Sequence, residues 1–459
     1  MASFTNFLIT TFVYFYFWCC SETVLTQSLY TWMTPYPRSA GLTNWNAMFF
    51  DEHSQKCTLK RVEFVARHGT RSPSENQINK TRVIIDKMSK PGVGKTAIGS
   101  DIATWSTGQV GGQILLEQGV EEQQFLAIDF HNLMSKFNMT GDLVYSSSSA
   151  PRAWDSSKAF SDKFNSLDQA KQFKTEANFV DDDALLFFES CKRYTTQIRG
   201  NESSRPLFMD FHQTQLAQQT LKNINTRLFT TPTEFSLTWD EAFSLYYMAG
   251  YEVAINGSSK LSYAFSNDDL AVFDYADDLE TYWKSVYGYD LNSYSACDLI
   301  GKMMESIKSD DTSTAANFRF AHSEVVAPLL AAFSLFKDEK NVYEQPVTSM
   351  DTIRNRLFKG SIATPFATNI ALLKFNCPGA SDDPKMAIVV NGKLMKRPTS
   401  FKQFENSMQW AFNCDAESVC DLDSCNGKFE PSLLTCSGTI VFHNLSAYVI
   451  LLFLFTVLI

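Results

Sequence analysis

Three polar segments each follow directly on a short strand-like run, and this arrangement constrains the fold more than any other feature of the chain. Residues 59–66 set Val62, Phe64 and Ala66 on one face of a strand and run into Arg67-His68-Gly69-Thr70-Arg71-Ser72-Pro73. Residues 143–146 form a second strand and lead to Ser149-Ala150-Pro151-Arg152. Residues 317–321, with Phe318 and Phe320 alternating, lead to His322-Ser323-Glu324. A fourth strand spans 386–390, and Asn391-Gly392 after it signals a hairpin turn. Open α/β sheets bind ligands beyond the carboxyl ends of their strands, so the three polar segments can meet at one place.

Helical periodicity fills most of the rest. It covers 112–137, broken by Gly119, then 155–190, 208–305, and 323–336 with Pro328 just past the first turn. Strands near both ends with a helical middle predict an α/β fold. Its discontinuous core is drawn from 21–160 and 310–436, with a mostly helical domain at 161–309. A hydrophobic share of 44% against 20% charged residues excludes a disordered chain. The 38 Phe predict a large aromatic core. A net charge of −10 without basic stripes excludes a nucleic-acid partner, so any anion site has to be a local cluster of arginines.

The three segments supply such a cluster. Arg67, Arg71 and Arg152 offer planar guanidinium forks for phosphate oxygens. His322 falls at a helix N-terminus, which favours an anion. His68 can attack with one ring nitrogen while the other hydrogen-bonds to backbone. Gly69 lets the chain turn and a phosphate approach. Glu324 can protonate a leaving alcohol if burial or the incoming charge keeps it protonated. Gly92-Val93-Gly94-Lys95-Thr96 ends like a phosphate-binding loop, but Ser89 stands where that motif needs glycine and Pro91 interrupts, so it reads as a solvated loop.

Arg67-His68-Gly69-Thr70-Arg71-Ser72-Pro73 resembles the Arg-His-Gly-x-Arg-x-Pro signature of the histidine acid phosphatases. His322-Ser323-Glu324 resembles their proton-donor motif in the glutamate form typical of the multiple inositol polyphosphate phosphatase branch. Tyr145-Ser146-Ser147-Ser148, Tyr282-Trp283-Lys284 with Gly288-Tyr289, and Pro365-Phe366-Ala367-Thr368-Asn369 look like the same branch. The resemblance runs from about Cys57 to Cys420. It implies an α/β core with an inserted, mostly helical cap and a small-molecule substrate. The implied reaction is hydrolysis of inositol polyphosphates such as phytate through a phosphohistidine on His68, with Glu324 as proton donor and no metal or cofactor. A broad acid phosphatase or a 2,3-bisphosphoglycerate phosphatase would use the same residues. A surface-anchored binding protein without turnover is the reading from another class, and the presence of both His68 and Glu324 speaks against it. Ser323 departs from the usual alanine, and a cysteine pair often seen near Ala249 and Ser262 is absent. By the same resemblance Cys57 pairs with Cys377, Cys191 with Cys297 and Cys414 with Cys420, leaving Cys425 with Cys436.

Residues 1–20 carry no charged side chain and read as a signal peptide. Scattered cysteines without a CxxC pair indicate disulfides in an oxidising compartment. Sequons at Asn79, Asn138, Asn201 and Asn256 fit the secretory pathway. The apolar tail is short of the roughly 20 residues of a membrane span. Small residues at Cys436-Ser437-Gly438 ahead of it suggest that 437–459 is a GPI-attachment signal at the cell surface, with a C-terminal transmembrane helix as the alternative. A phosphatidylinositol-specific phospholipase is expected to release the protein from membranes; retention after treatment would favour the spanning tail.

Overall fold

The computed structural model describes residues 30–36 and 57–422, apart from 232–233, 310, 312, 339–341 and 379–382. The expected leader at 1–20, the signal at 437–459 and the Cys425–Cys436 pair lie outside the described residues. The fold is α/β, built on a seven-stranded sheet in the order β3-β2-β4-β1-β5-β6-β7. The strands are β1 (Thr58–Arg67), β2 (Gly141–Ser147), β3 (Phe173–Val180), β4 (Thr314–Ala321), β5 (Asn369–Asn376), β6 (Lys385–Val390) and β7 (Lys393–Ser400). β3, β2, β4 and β1 run parallel, and β5, β6 and β7 continue antiparallel. In register, Arg67 lies beside Ala321 and Ser147 beside Phe320, so β1, β2 and β4 end on one edge of the sheet. β5 begins on that edge, with Asn369 beside Ala66.

The strand expected at 59–66 is β1, and Val62, Phe64 and Ala66 do share one face. Three strands lacked a readable pattern. β3, included in a helical stretch at 155–190, is an edge strand with mostly exposed residues, so nothing enforces apolar alternation. β5 is buried on both faces, and its continuous apolar run fits a helix as well as a strand. β7 is the return arm of the hairpin, turned by Asn391 and Gly392 at positive φ of 49° and 72°.

The main helices are α1 (Glu75–Met88), α2 (Glu117–Lys136), α3 (Pro151–Leu167), α4 (Gln215–Leu228), α5 (Trp239–Asn256), α6 (Asn267–Ser285), α7 (Cys297–Lys308) and α8 (Ser323–Ala332). Capping boxes start α5 at Thr238 and α6 at Ser266, and Pro151 starts α3. α2 begins only at Glu117, not 112, because Gly112 and Gln113 hold positive φ. α8 stops at Ala332, short of 336, because Ser334 and Phe336 do the same.

α2 and α3 cover one sheet face, where Phe64 meets Phe130 and Phe160 meets Phe318 with ring centroids 4.8 Å apart. α7 and α8 cover the other. A third cluster joins α1, α4 and α5 to Tyr30 and Met33 of an N-terminal segment, 30–36. Two expected boundaries therefore move. Position 161 falls inside α3, which packs on the sheet with β3 following it, and α1 lies with the helical layer although it precedes β2. Lys95 of the loop at 92–96 donates to the carbonyls of Met88 and Val93, an ordinary helix-end role.

Cys57 is bonded to Cys377, but Cys191 bonds to Cys420 and Cys297 to Cys414. The expected Cys191–Cys297 and Cys414–Cys420 pairs are thus corrected. The segment bearing Cys414 and Cys420 folds back between the two helical cysteines and reaches each with a different sulfur. Asn79, Asn138 and Asn256 are exposed and Asn201 is half-buried. Among the described residues no helix is long and apolar enough to cross a membrane.

Under α7 the sheet carries a buried polar knot. Glu63 accepts from Arg319 Nη1 (2.5 Å), Asn317 Nδ2 (2.6 Å) and the Ser306 hydroxyl (2.5 Å). Removing one partner of a buried pair leaves the other charge uncompensated. Glu63→Ala is expected to cost about 3–5 kcal/mol in urea unfolding. A loss below about 1 kcal/mol, the scale of an exposed pair, would contradict this account.

Candidate active site

The edge where β1, β2 and β4 end opens into a cavity of about 510 Å³, lined among others by Arg67, His68, Arg71, Arg152, His322 and Glu324. All six residues singled out from the sequence meet there. β1 delivers Arg67 and runs on into His68 and Arg71, the first turn of α3 carries Arg152, and β4 delivers His322 as the N-cap of α8.

His68 is buried, and its Nδ1 lies 2.9 Å from the carbonyl of Gly69. A carbonyl only accepts, so Nδ1 carries the proton and Nε2 keeps its lone pair for the cavity. Burial, together with Arg67, His322, Arg71 and Arg152, holds the ring well below the usual histidine range, so the imidazole is neutral. His322 bridges two segments: Arg152 Nη2 donates to its Nδ1 (3.3 Å), and its Nε2 donates to the Ser148 hydroxyl (2.9 Å). Burial lowers it to about 4, with the neighbouring arginines acting in the same sense.

The arginines are packed with little to neutralise them. Burial and the Arg71 charge bring Arg67 down to about 9. Its Nη1 donates to the carbonyls of Trp32 (2.6 Å) and Thr364 (2.9 Å), and its guanidinium lies 4.4 Å from the Phe366 ring centroid. Arg71 lies over Trp32 and Tyr251. The buried Nε atoms of Arg67, Arg71 and Arg152 find no protein acceptor among the described residues. Donors in such number around one cavity suit a multiply charged oxyanion.

Glu324 sits in the first turn of α8, and its carboxylate accepts from its own backbone N–H and from the Ser323 hydroxyl (2.9 Å). Burial raises its pKa, as expected from the sequence, but His322, these hydrogen bonds and Arg67 outweigh it and bring it to about 2. The carboxyl is thus ionised, and burial alone does not keep the proton on it.

Gly69 has a different reason from the one its sequence context suggested. Its φ is not positive, and a Cβ there would strike the Gly119 carbonyl, while one on Gly119 would strike the backbone of Thr70. The signature loop is thus pressed against the first turn of α2. Glu122 fixes it by accepting from the Thr70 N–H (2.7 Å) and hydroxyl (2.8 Å), and Gln123 donates to the Arg67 carbonyl (3.0 Å).

Several cavity residues escaped the sequence reading. Trp32 comes from the segment 30–36, too short to show periodicity. Arg199, Asp277 and Glu280 come from the helical layer, where a charged residue looks like any solvated one. Lys284 belongs to Tyr282-Trp283-Lys284, whose sequence alone assigns it no role.

A family model described as "Histidine phosphatase superfamily (branch 2)" matches residues 58–391. The multiple inositol polyphosphate phosphatase 1 of Homo sapiens is 26% identical over 386 residues, covering 76% of each chain. That of Gallus gallus is 25% identical over 402 residues, covering 82% of this chain and 87% of its own. Among solved structures, the phytase from D. castellii matches with a TM-score of 0.65 at 16% identity, covering 89% of each chain. The Bifidobacterium longum multiple inositol polyphosphate phosphatase with inositol hexasulfate matches at 0.63 and 15%, covering 80% of this chain and 92% of that one. Trp32 lies outside the span of the family model.

The folded protein holds His322 neutral down to about pH 4, whereas the unfolded chain takes up that proton near 6.5. The unfolded state binds more protons between these values, so this stability is present above pH 6.5 and is lost as pH falls through about 4. Melting temperatures are expected to drop across that window, and His322→Asn is expected to flatten the drop; an unchanged slope would show that other groups carry it.

Proposed function

The chain belongs to the histidine phosphatase superfamily, branch 2, and we propose that it is a phosphomonoesterase that hydrolyses inositol polyphosphates such as phytate. The observation that carries this reading is the convergence of Arg67, Arg71 and Arg152, none of them in an ion pair among the described residues, on one cavity around a neutral His68. The relatives named as multiple inositol polyphosphate phosphatases support the substrate class.

In this mechanism Arg67, Arg71 and Arg152 hold the phosphoryl oxygens and stabilise the charge that develops in the transition state. His68 Nε2 attacks phosphorus: the N–P bond forms and the bond to the inositol oxygen breaks. The Gly69 carbonyl, already hydrogen-bonded to Nδ1, stabilises the positive charge that grows on the ring. Glu324 gives a proton to the leaving oxygen. Because its hydrogen bonds and the positive charge around it keep Glu324 ionised, the proton arrives on the substrate as a phosphate monoanion. The bound phosphate also offsets the cationic field that keeps Glu324 acidic. Water then attacks the phosphohistidine, Glu324 accepts its proton, the N–P bond breaks and phosphate leaves.

The secretory pathway is supported by the bonds Cys57–Cys377, Cys191–Cys420 and Cys297–Cys414. Glycosylation at the exposed sequons and a GPI anchor or membrane tail at 437–459 belong to the proposal and rest on sequence alone.

Purified protein is expected to release phosphate from phytate at mildly acid pH. The rate is expected to fall as pH rises past about 6, where a phosphate monoester loses its second proton. His68→Ala should abolish release with the fold intact by circular dichroism. Glu324→Gln should slow phytate by roughly 10²–10⁴-fold and an activated aryl phosphate far less. Tight binding of phytate by the wild type without release would sink the enzymatic reading, and equal slowing of both substrates would remove Glu324 as the acid. A panel adding 2,3-bisphosphoglycerate defines the substrate range.

A further inference from the structure

One face of α6 forms the cavity wall away from the sheet. Asp277, Glu280, Thr281 and Lys284 all line it, at the spacing that puts residues on one side of a helix. Two of the charges neutralise each other, because Glu280 accepts from Lys284 (3.2 Å) and also pairs with Arg205 (3.2 Å). Asp277 is different. It is buried, and among the described residues it makes no ion pair. Its two carboxylate oxygens take hydroxyl donors instead, Thr31 on Oδ2 (2.6 Å) and Tyr247 on Oδ1.

The elements packed around Asp277 bring both acids and bases. Its own helix brings Asp274, Asp278 and Glu280; Arg356 is committed to Asp274 and Asp278 at 2.5 and 2.6 Å, with Lys359 behind it. α5 brings Tyr246 and Tyr247, and the segment 30–36 brings Thr31 and Trp32. Arg67, Arg71, Arg152, Arg199 and Lys284 share the cavity. A carboxyl so placed in a polyanion site is a liability when ionised and carries no charge when protonated.

We propose that Asp277 is a specificity-determining residue that reads the outlying phosphates of a polyphosphorylated substrate. Its protonated carboxyl, uncharged and held by Thr31 and Tyr247, lets such a phosphate approach, and its ionised carboxylate repels it. A small monophosphate held by the arginines around His68 carries no outlying phosphate for it to read. This rests on the reading that the site takes inositol polyphosphates. Burial, with Glu280 and Asp274 adding to it, raises Asp277 to about 7. His322, at about 4, and His68, well below its usual range, are neutral on both sides of that value.

The test is calorimetric binding of myo-inositol hexakissulfate and of inorganic sulfate to the full chain from about pH 5.5 to 8. Sulfate esters do not titrate there, so any step belongs to the protein. For the wild type, Kd for the hexakissulfate is expected to rise on the order of tenfold through pH 7, the size of one charge repelling another at moderate distance. Kd for inorganic sulfate is expected to lack this step. Asp277→Asn should remove it. A step of equal size in Asp277→Asn, or the same step with inorganic sulfate, would overturn the proposal. If Asp277→Asn does not fold, Tyr247→Phe serves: losing a donor to the carboxylate should move the midpoint to higher pH, and an unmoved midpoint would count equally against it. Binding needs no turnover, so failure to release phosphate from phytate would refute the enzymatic reading without touching this result.

Discussion

Positive charge held close together around a neutral histidine is the constraint from which the rest of the structure follows. Arg67, Arg71 and Arg152 repel one another, and burial of Arg67 removes the water that would screen them. The protein leaves this charge largely uncancelled, because an anion is what completes it. It holds the arginines with neutral groups instead: the carbonyls of Trp32 and Thr364, and the rings of Trp32, Phe366 and Tyr251. Carbonyl dipoles and aromatic faces fix a guanidinium in place while leaving its net charge available. Burial, with the same field acting in its sense, keeps His68 and His322 neutral, while His322, hydrogen bonds and Arg67 keep Glu324 ionised.

Holding such a cluster requires support from several directions. The parallel run of β2, β4 and β1 ends the segments on one edge, and the main-chain bond from the His68 N–H to the Ala321 carbonyl (2.9 Å) ties two of them directly. Behind the loop, Gly69 and Gly119 bring two backbones into contact, and Glu122 locks Thr70. In front, the helical layer and the segment 30–36 close the cavity. The sheet side therefore supplies the groups suited to the reacting phosphate. The α6 side supplies groups that would meet the remainder of a substrate, among them Lys284 and Asp277.

Much of the reacting half was legible in the chain. Arg67, His68 and Arg71 lie within a few residues of one another after an apolar run, and Arg152, His322 and Glu324 follow other apolar runs. Strand ends gather local segments onto one edge, so a local pattern was enough to bring them together. The disulfides were less legible. Only Cys57–Cys377 follows the resemblance, because the others depend on where the segment around 414–420 folds back, and no local signal encodes that.

By itself, then, the sequence determined the α/β class, the catalytic candidates on strand ends and the requirement for a local arginine cluster. Each of these is a matter of residues near one another in the chain. The tertiary structure alone decided that Trp32 enters the cavity from the segment 30–36, with Thr31 buried against Asp277, and that Asp277 and Lys284 form its far wall. It also decided that Gly69 serves packing rather than a turn and that Glu324 is held ionised despite its burial. These outcomes depend on groups far apart in the chain, as in the Thr31–Asp277 bond across 246 positions, and on burial and summed charge, which a linear pattern does not carry.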